Sequence, residues 1–436
     1  MRPSLSRQLF SMTWPMLFGV LSLMSFQLVD SAFIGQLGVL PLATQGFTLP
    51  MQMVIIGIQV GLGIATTAII SKAIGAEKCL LARQLGGLIL LLGCASIAVF
   101  CGLIYVLRHT ILNLLGAPTN VLPIIDSYWP LWLISAWAGA TLYFLYSLCR
   151  ANGNTMLPGS MMVLTSILNV ILDPIFIFQF HLGIRGAAIA TIVSFAAGIL
   201  IVLPRVYRKH WMTFHWEGFD ITHSIAGILS IMGPAMVSQL LPSLSSMLAT
   251  KLLAMFGSSA VAAWAVGSRF EFFSIVSVLA LTMSIPPMIG KLLGQKQYIK
   301  IEELLNIAIR FILVFQSLLA FIAFIFSGPL TTLMSSESSV QNLLNWHLCW
   351  IPVSLGPLGV CILIVSVSNA LGYSYKALII SGLRLFAFFL PSLWIGSYIW
   401  GIQGIYIGAL IGNCLAGIAA CLFYQSMMKQ LKAKKA

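Results

Sequence analysis

The sequence predicts an all-α membrane protein: about twelve transmembrane helices in two parallel six-helix bundles, one repeating the other in a pseudo-twofold arrangement, with a central cavity between the lobes. Three observations predict it. Of 436 residues, 59% are hydrophobic and only 8% charged, more apolar surface than a water-soluble domain can hide. Apolar runs of bilayer-crossing length, about 20 residues each, recur from end to end with no soluble domain between them. The two halves of the chain also carry the same landmarks at a constant spacing.

The spans of the first half fall near 8–31, 44–70, 86–108, 122–147, 157–178 and 185–204. Those of the second fall near 226–256, 262–290, 305–327, 340–368, 376–399 and 404–428. Arg2 and Arg7 ahead of the first run suggest a signal peptide. Gln27 and Asp30 inside that run, and the lack of a clean small-residue cleavage site, make it a membrane helix. With the N-terminus inside, seventeen Lys and Arg fall in inner segments and only Arg108 and Arg185 in outer loops. Positive charge collects on the cytoplasmic side, so both termini are cytoplasmic in a multi-pass protein of the cell inner membrane. This distribution accounts for the net charge of +13 without a nucleic-acid partner.

The most polar interior stretch sets the domain organisation: an N-terminal lobe at 1–204, a cytoplasmic linker at 205–224 and a C-terminal lobe at 225–436. The linker mixes basic residues with Trp211, Phe214, Trp216 and Phe219, the composition of a strap on the inner leaflet. The halves repeat at an offset of 219 residues, which separates Pro15 from Pro234, Gly38 from Gly257, Lys72 from Lys291 and Gly153 from Gly372. Gly183 and Gly401 are 218 apart. An even number of spans per half makes the repeats parallel. Gly404, Gly408 and Gly412 form a small-residue ridge for helix packing. Cys94 and Cys101 read as packing residues, with no CxxC pair in the chain.

Enzyme signatures are absent: no HExxH, P-loop or GxSxG, and no His cluster at metal-ligand spacing. No catalytic residue, metal site or organic cofactor is expected. What remains is polar groups at membrane depth. Of ten acids, Asp30, Asp173 and Glu271 fall within spans, where an ionisable group is costly and usually faces a cavity. Asn169 and Asp173, four apart, share one face of the fifth span, and Gln27 shares the Asp30 face of the first. Thr191 on the sixth span approaches the same space. A carboxyl kept short of water is costly to ionise, which suits exchange of a proton. Pro15 cannot donate to the carbonyl of residue 11 and gives the first span a hinge, and Pro174 does the same beside Asp173. In the second half Lys251, Arg269 and Glu271 are candidates for cavity or support roles. Arg269 and Glu271, two apart, cannot face each other, so Glu271 is expected to meet Lys251 across helices.

With these residues in view, the chain resembles the multidrug and toxic compound extrusion (MATE) family over essentially its whole length. The segments that carry the resemblance are WPMLFG with Pro15, LVDSAFIGQLG with Asp30, SKAIGAEK, ANGNTMLP, LNVILDPIFIF with Asn169 and Asp173, and HLGIRGAAIAT with Thr191. GSRFEFF, with Arg269 and Glu271, is similar to the DinF-like branch. The resemblance implies an antiporter, a monomer in membrane lipid, that exports small amphipathic or cationic drugs by alternating access as H⁺ or Na⁺ enters. It implies that Asp30, Asn169, Asp173 and Thr191 form the coupling cluster and that helix 1 bends at Pro15. Acids that other branches use in the C-terminal half are missing here from the seventh span, which has only Lys251. Asp, Asn and Thr oxygens suit Na⁺ as well as a proton carrier. A flippase for lipid or lipid-linked precursors is the alternative, which usually carries several basic residues facing its cavity.

Overall fold

Nearly every residue of the structure, a computed structural model, lies in a helix; residues 4–116, 118, 121–334 and 337–433 are described. Arg2, Lys434 and Lys435, part of the basic-residue count, lie outside them. The chain divides into two compact units, Ser11–Met236 and Val237–Ala436 with the first ten residues.

In the first unit, α1 (Leu5–Gln36) runs unbroken through Pro15, and α2 (Val39–Gly46) follows a break at Gly38. After α2 come α3 (Leu49–Gly75), α4 (Cys79–Leu114), α5 (Leu122–Ala151), α6 (Met156–Pro174) and α7 (Ile184–Arg208). A π-helical turn, Ile175–Gln179, continues α6 beyond Pro174. Helix α5 packs against α3, α4 and α7. The segment 205–224, read from sequence as the link between lobes, lies along α4 within this unit. The Thr213 amide donates to the Arg83 carbonyl at 3.0 Å, and Gln84 Nε2 donates to the His215 carbonyl at 3.2 Å. Gly86 and Gly87 permit this contact, since a side chain there would run into the Trp211 and Thr213 backbone.

In the second unit follow α8 (Ile221–Ala254, entered from the first), α9 (Ser258–Ser274), α10 (Val276–Gly294), α11 (Tyr298–Ile325), α12 (Ser327–Met334), α13 (Ser338–Ala370), α14 (Ser374–Gly382) and α15 (Leu390–Ala433). Among the described residues, 11 helical segments are long and apolar enough to cross a bilayer. The last, Ser374–Gln430, holds two of the expected spans. It folds back at Trp400 and Gly401, where φ of Gly401 is +61°. The predicted ridge closes this hairpin: a side chain at Gly404 would strike the Gly396 carbonyl, and one at Gly408 the Ser392 carbonyl.

The repeat is written in the backbone too. Left-handed φ values recur at the sequence offset: Gly38 (+112°) with Gly257 (+105°), Glu77 (+62°) with Lys296 (+57°), and Gly153 (+79°) with Gly372 (+83°). Gly183 (+56°) pairs with Gly401 (+61°) at the shifted offset. Each marks a helix end where the chain must reverse, which glycine does at least cost.

Candidate functional site

The first unit contains a cavity of about 730 Å³. Its wall comes from α1 (Leu23–Ser31), the α2 residues Leu42, Gln45 and Gly46, α3 (Leu49–Gln59), α5 (Tyr128–Tyr146), Met162 and Thr165 of α6, and α7 (Ala187–Phe195). Aromatic rings (Phe26, Tyr128, Trp132, Tyr143, Tyr146 and Phe195) alternate with four glutamines (Gln27, Gln45, Gln52 and Gln59). Asp30 is the acid on this wall, and no Lys or Arg lines it.

The predicted cluster assembles here. Asp30, half-buried, accepts a hydrogen bond from Gln45 Nε2 at 3.4 Å, while its Oδ1 has no partner. Gln27 lies exposed on the same wall. Thr191 also faces the cavity, and Asn169 and Asp173 sit behind it, 2% and 0% exposed.

The Asn169 amide bridges Asp173 and Thr191: Nδ2 donates to Asp173 Oδ2 at 2.9 Å, and Oδ1 accepts from the Thr191 hydroxyl at 3.1 Å and the Thr191 amide at 3.2 Å. The Thr191 hydroxyl also lies 2.9 Å from the Ala187 carbonyl. An amide hydrogen offered to Asp173 suits a carboxylate, which only accepts.

Pro15 lies at a crossing of backbones. A methyl group at Gly159 of α6 would collide with the Pro15 carbonyl, and one at Gly19 would come within 2.9 Å of Met162 Sδ. Helices α1 and α6 therefore meet without side chains between them at the proline.

The second unit corrects one expectation. Glu271 does not meet Lys251; its Oε1 lies 2.7 Å from His347 Nε2. The reason is tertiary: α13 brings a fully buried imidazole against α9, and Gly267 is bare beneath the ring. Trp264 and Tyr406 pack on His347 with ring centres 5.3 and 5.7 Å away. Lys251 and Arg269 are exposed, and neither forms an ion pair among the described residues. Sequence reasoning missed Gln45, Gly159 and His347. Only His347 had left a signal, an ionisable group inside an apolar span.

Known proteins agree with this architecture. The MatE family profile matches residues 15–175 and 234–395, its two stretches beginning at Pro15 and at Pro234. An FAD transporter of Shewanella oneidensis is 33% identical over 439 residues, 99% of this chain and 97% of its own. The multidrug export protein MepA of Staphylococcus saprophyticus is 24% identical over 97% of this chain and 94% of its own. The crystal structure of the Vibrio cholerae MATE transporter VcmN in the bent form has a TM-score of 0.97 at 62% identity, over 98% of both chains. With two matched stretches that together span most of its length, and with relatives that match it end to end, the chain belongs to the MATE family of membrane transporters.

Proposed function

We propose that this transporter is a proton-coupled antiporter that exports amphipathic, cationic compounds across the inner membrane, both termini cytoplasmic. The observation that carries the reading is the wall of the first-unit cavity: aromatic and amide side chains around one carboxyl, with no basic residue. Such a wall binds flat apolar cations by area and by charge. Asp30 and Asp173 exchange the proton. Ionised, they attract the cation, and Asn169 donates to Asp173. Protonated, Asp173 no longer carries the charge that this bond serves, and the pull on the cation is lost. Helix α1, which carries Asp30, repacks at Pro15. Cation and proton thus oppose each other by one shared free energy.

A second reading is export of a flavin dinucleotide, favoured by the 33% identity to the FAD transporter of Shewanella oneidensis. Its pyrophosphate would meet Asp30 and no Lys or Arg on this wall. The same gap weighs against a lipid-linked precursor, and the cationic reading stands first. Proteoliposome efflux under an imposed pH gradient or an imposed Na⁺ gradient, run separately with a cationic dye and with FAD, decides among these. Dye export driven by the pH gradient alone is expected; export driven only by Na⁺, or of FAD alone, contradicts the reading.

A further inference from the structure

Below the cavity lies a buried charge that the coupling scheme does not use. The cavity wall reaches only to Gln59 on α3 and Tyr146 on α5, whereas those helices continue to Gly75 and Ala151. Arg150, in the last turn of α5, occupies the ground between the cavity floor and those helix ends. It is 3% exposed. Its Nη2 donates to Ser147 Oγ at 2.7 Å, and its guanidinium lies 5.0 Å over the ring of Tyr143, a residue of the cavity wall. Its Nε has no partner, and no carboxylate lies within ion-pair distance among the described residues.

A guanidinium withdrawn from water without a carboxylate is expensive, and the carbonyl end of α5 and the Tyr143 face offset only part of that cost. The fold itself does not demand it. At the repeat-related position, 219 residues on, stands Asn369, 2% exposed and neutral. At this position the charge is present in the half that holds Asp30 and Asp173 and absent from the other, whose own guanidinium at depth, Arg384, stands elsewhere, in the π-helical turn Leu383–Phe389. The other titratable groups at this floor are Tyr143, Tyr146 and Cys149, and Lys209 adds a second positive charge felt at Cys149.

We propose that Arg150 is the electrostatic floor of the cavity, a fixed positive charge that keeps protons and organic cations held at Asp30 and Asp173 from leaking through the first unit. A fixed positive charge in a floor of low dielectric repels cations by its field, as pore-lining Arg does in water-selective channels. Basic residues crowd the helix ends on the Arg150 side, which makes this the cytoplasmic end. Arg150 then separates the two compartments while α1 changes shape.

The inference rests on proton exchange at the two acids, but its test needs no substrate, so failure of export and failure of the floor are read separately. Full-length protein in proteoliposomes is given a pH gradient, and its collapse is followed by an internal pH dye. Arg150→Gln is expected to collapse the gradient at least fivefold faster than wild type, with Arg150→Met as the second neutral variant. Arg150→Lys, which keeps the charge, is expected to remain within twofold of wild type. Asp173→Asn added to Arg150→Gln is expected to return the leak to background, because the path then lacks its carrier. A neutral variant as tight as wild type overturns the proposal. So does a lysine variant as leaky as glutamine, or a leak that survives Asp173→Asn.

Discussion

The two halves share a backbone frame and differ in what fills it. At the 219-residue offset, Gln45, Thr48, Gln52 and Tyr128 of the first half become Trp264, Gly267, Glu271 and His347 of the second. At the shifted offset of 218, Ala188 and Thr191 become Tyr406 and Ala409. The first set lines or borders an open cavity; the second packs its rings together. Trp264, Tyr406, Ala249 and Ala409 belong to one apolar core, and Ala249 stands where the first half has Asp30. Across these positions Gln45 and Ala188 give way to the larger Trp264 and Tyr406, Asp30 gives way to Ala249, and Gln52 gives way to the acid Glu271. The comparison teaches that the frame specifies neither site nor charge. A few positions on α1, α2, α5 and α7 do.

If that asymmetry is functional, substitutions at matched depth should have unequal effects. The largest is expected at the acids: Asp30→Asn and Asp173→Asn abolish dye efflux while the protein still inserts, measured at matched expression. Full efflux from either variant would remove the first half's claim to the coupling site. Next comes the crossing at Pro15. Gly159→Ala forces a methyl group against the Pro15 carbonyl, so turnover should fall about tenfold with dye affinity changed less than about threefold, since each tenfold is about 1.4 kcal/mol. Pro15→Ala should likewise slow turnover more than it weakens binding. Equal losses in affinity and turnover would mean that the crossing only holds the site together.

A smaller effect is expected at Gln45. Its amide donates to Asp30 from 3.4 Å, a long and weak bond. Gln45→Leu should therefore cost only a few-fold in efflux, about 1 kcal/mol for one hydrogen bond, and tilt the pH profile of efflux. The smallest effect belongs to the second half. Glu271→Gln keeps the shape of the side chain against His347, so the pH dependence of efflux should match wild type. A displaced profile would show that the second half also takes part in coupling and would break the comparison.

Much of this was legible in the sequence, for physical reasons. Lipid imposes long apolar runs, so spans and lobes are written in hydropathy, and the repeat survives as glycines whose left-handed φ few other residues adopt. Asp30 and Asp173 stood out because acids at depth are expensive. The unread parts depend on chain reversal and close approach. Gln45 reaches Asp30 only because α2 folds back after Gly38. Gly159 acts through what it lacks, which spacing cannot reveal. Glu271 sought a basic partner on a neighbouring span, Lys251, and α13 supplied His347 from further along the chain.

The central claim is that cation and proton compete at the Asp30–Asp173 cluster. Its most direct test is equilibrium binding of a permanently charged dye to the purified protein, from about pH 5 to 9 with Na⁺ absent throughout. Competition with one proton weakens binding by up to tenfold per pH unit below the cluster's apparent midpoint, by the reciprocity of linked binding. The account predicts affinity that is high and level at alkaline pH and falls at least tenfold towards pH 5, with the fall abolished in Asp30→Asn. A flat curve for the wild-type protein would contradict it.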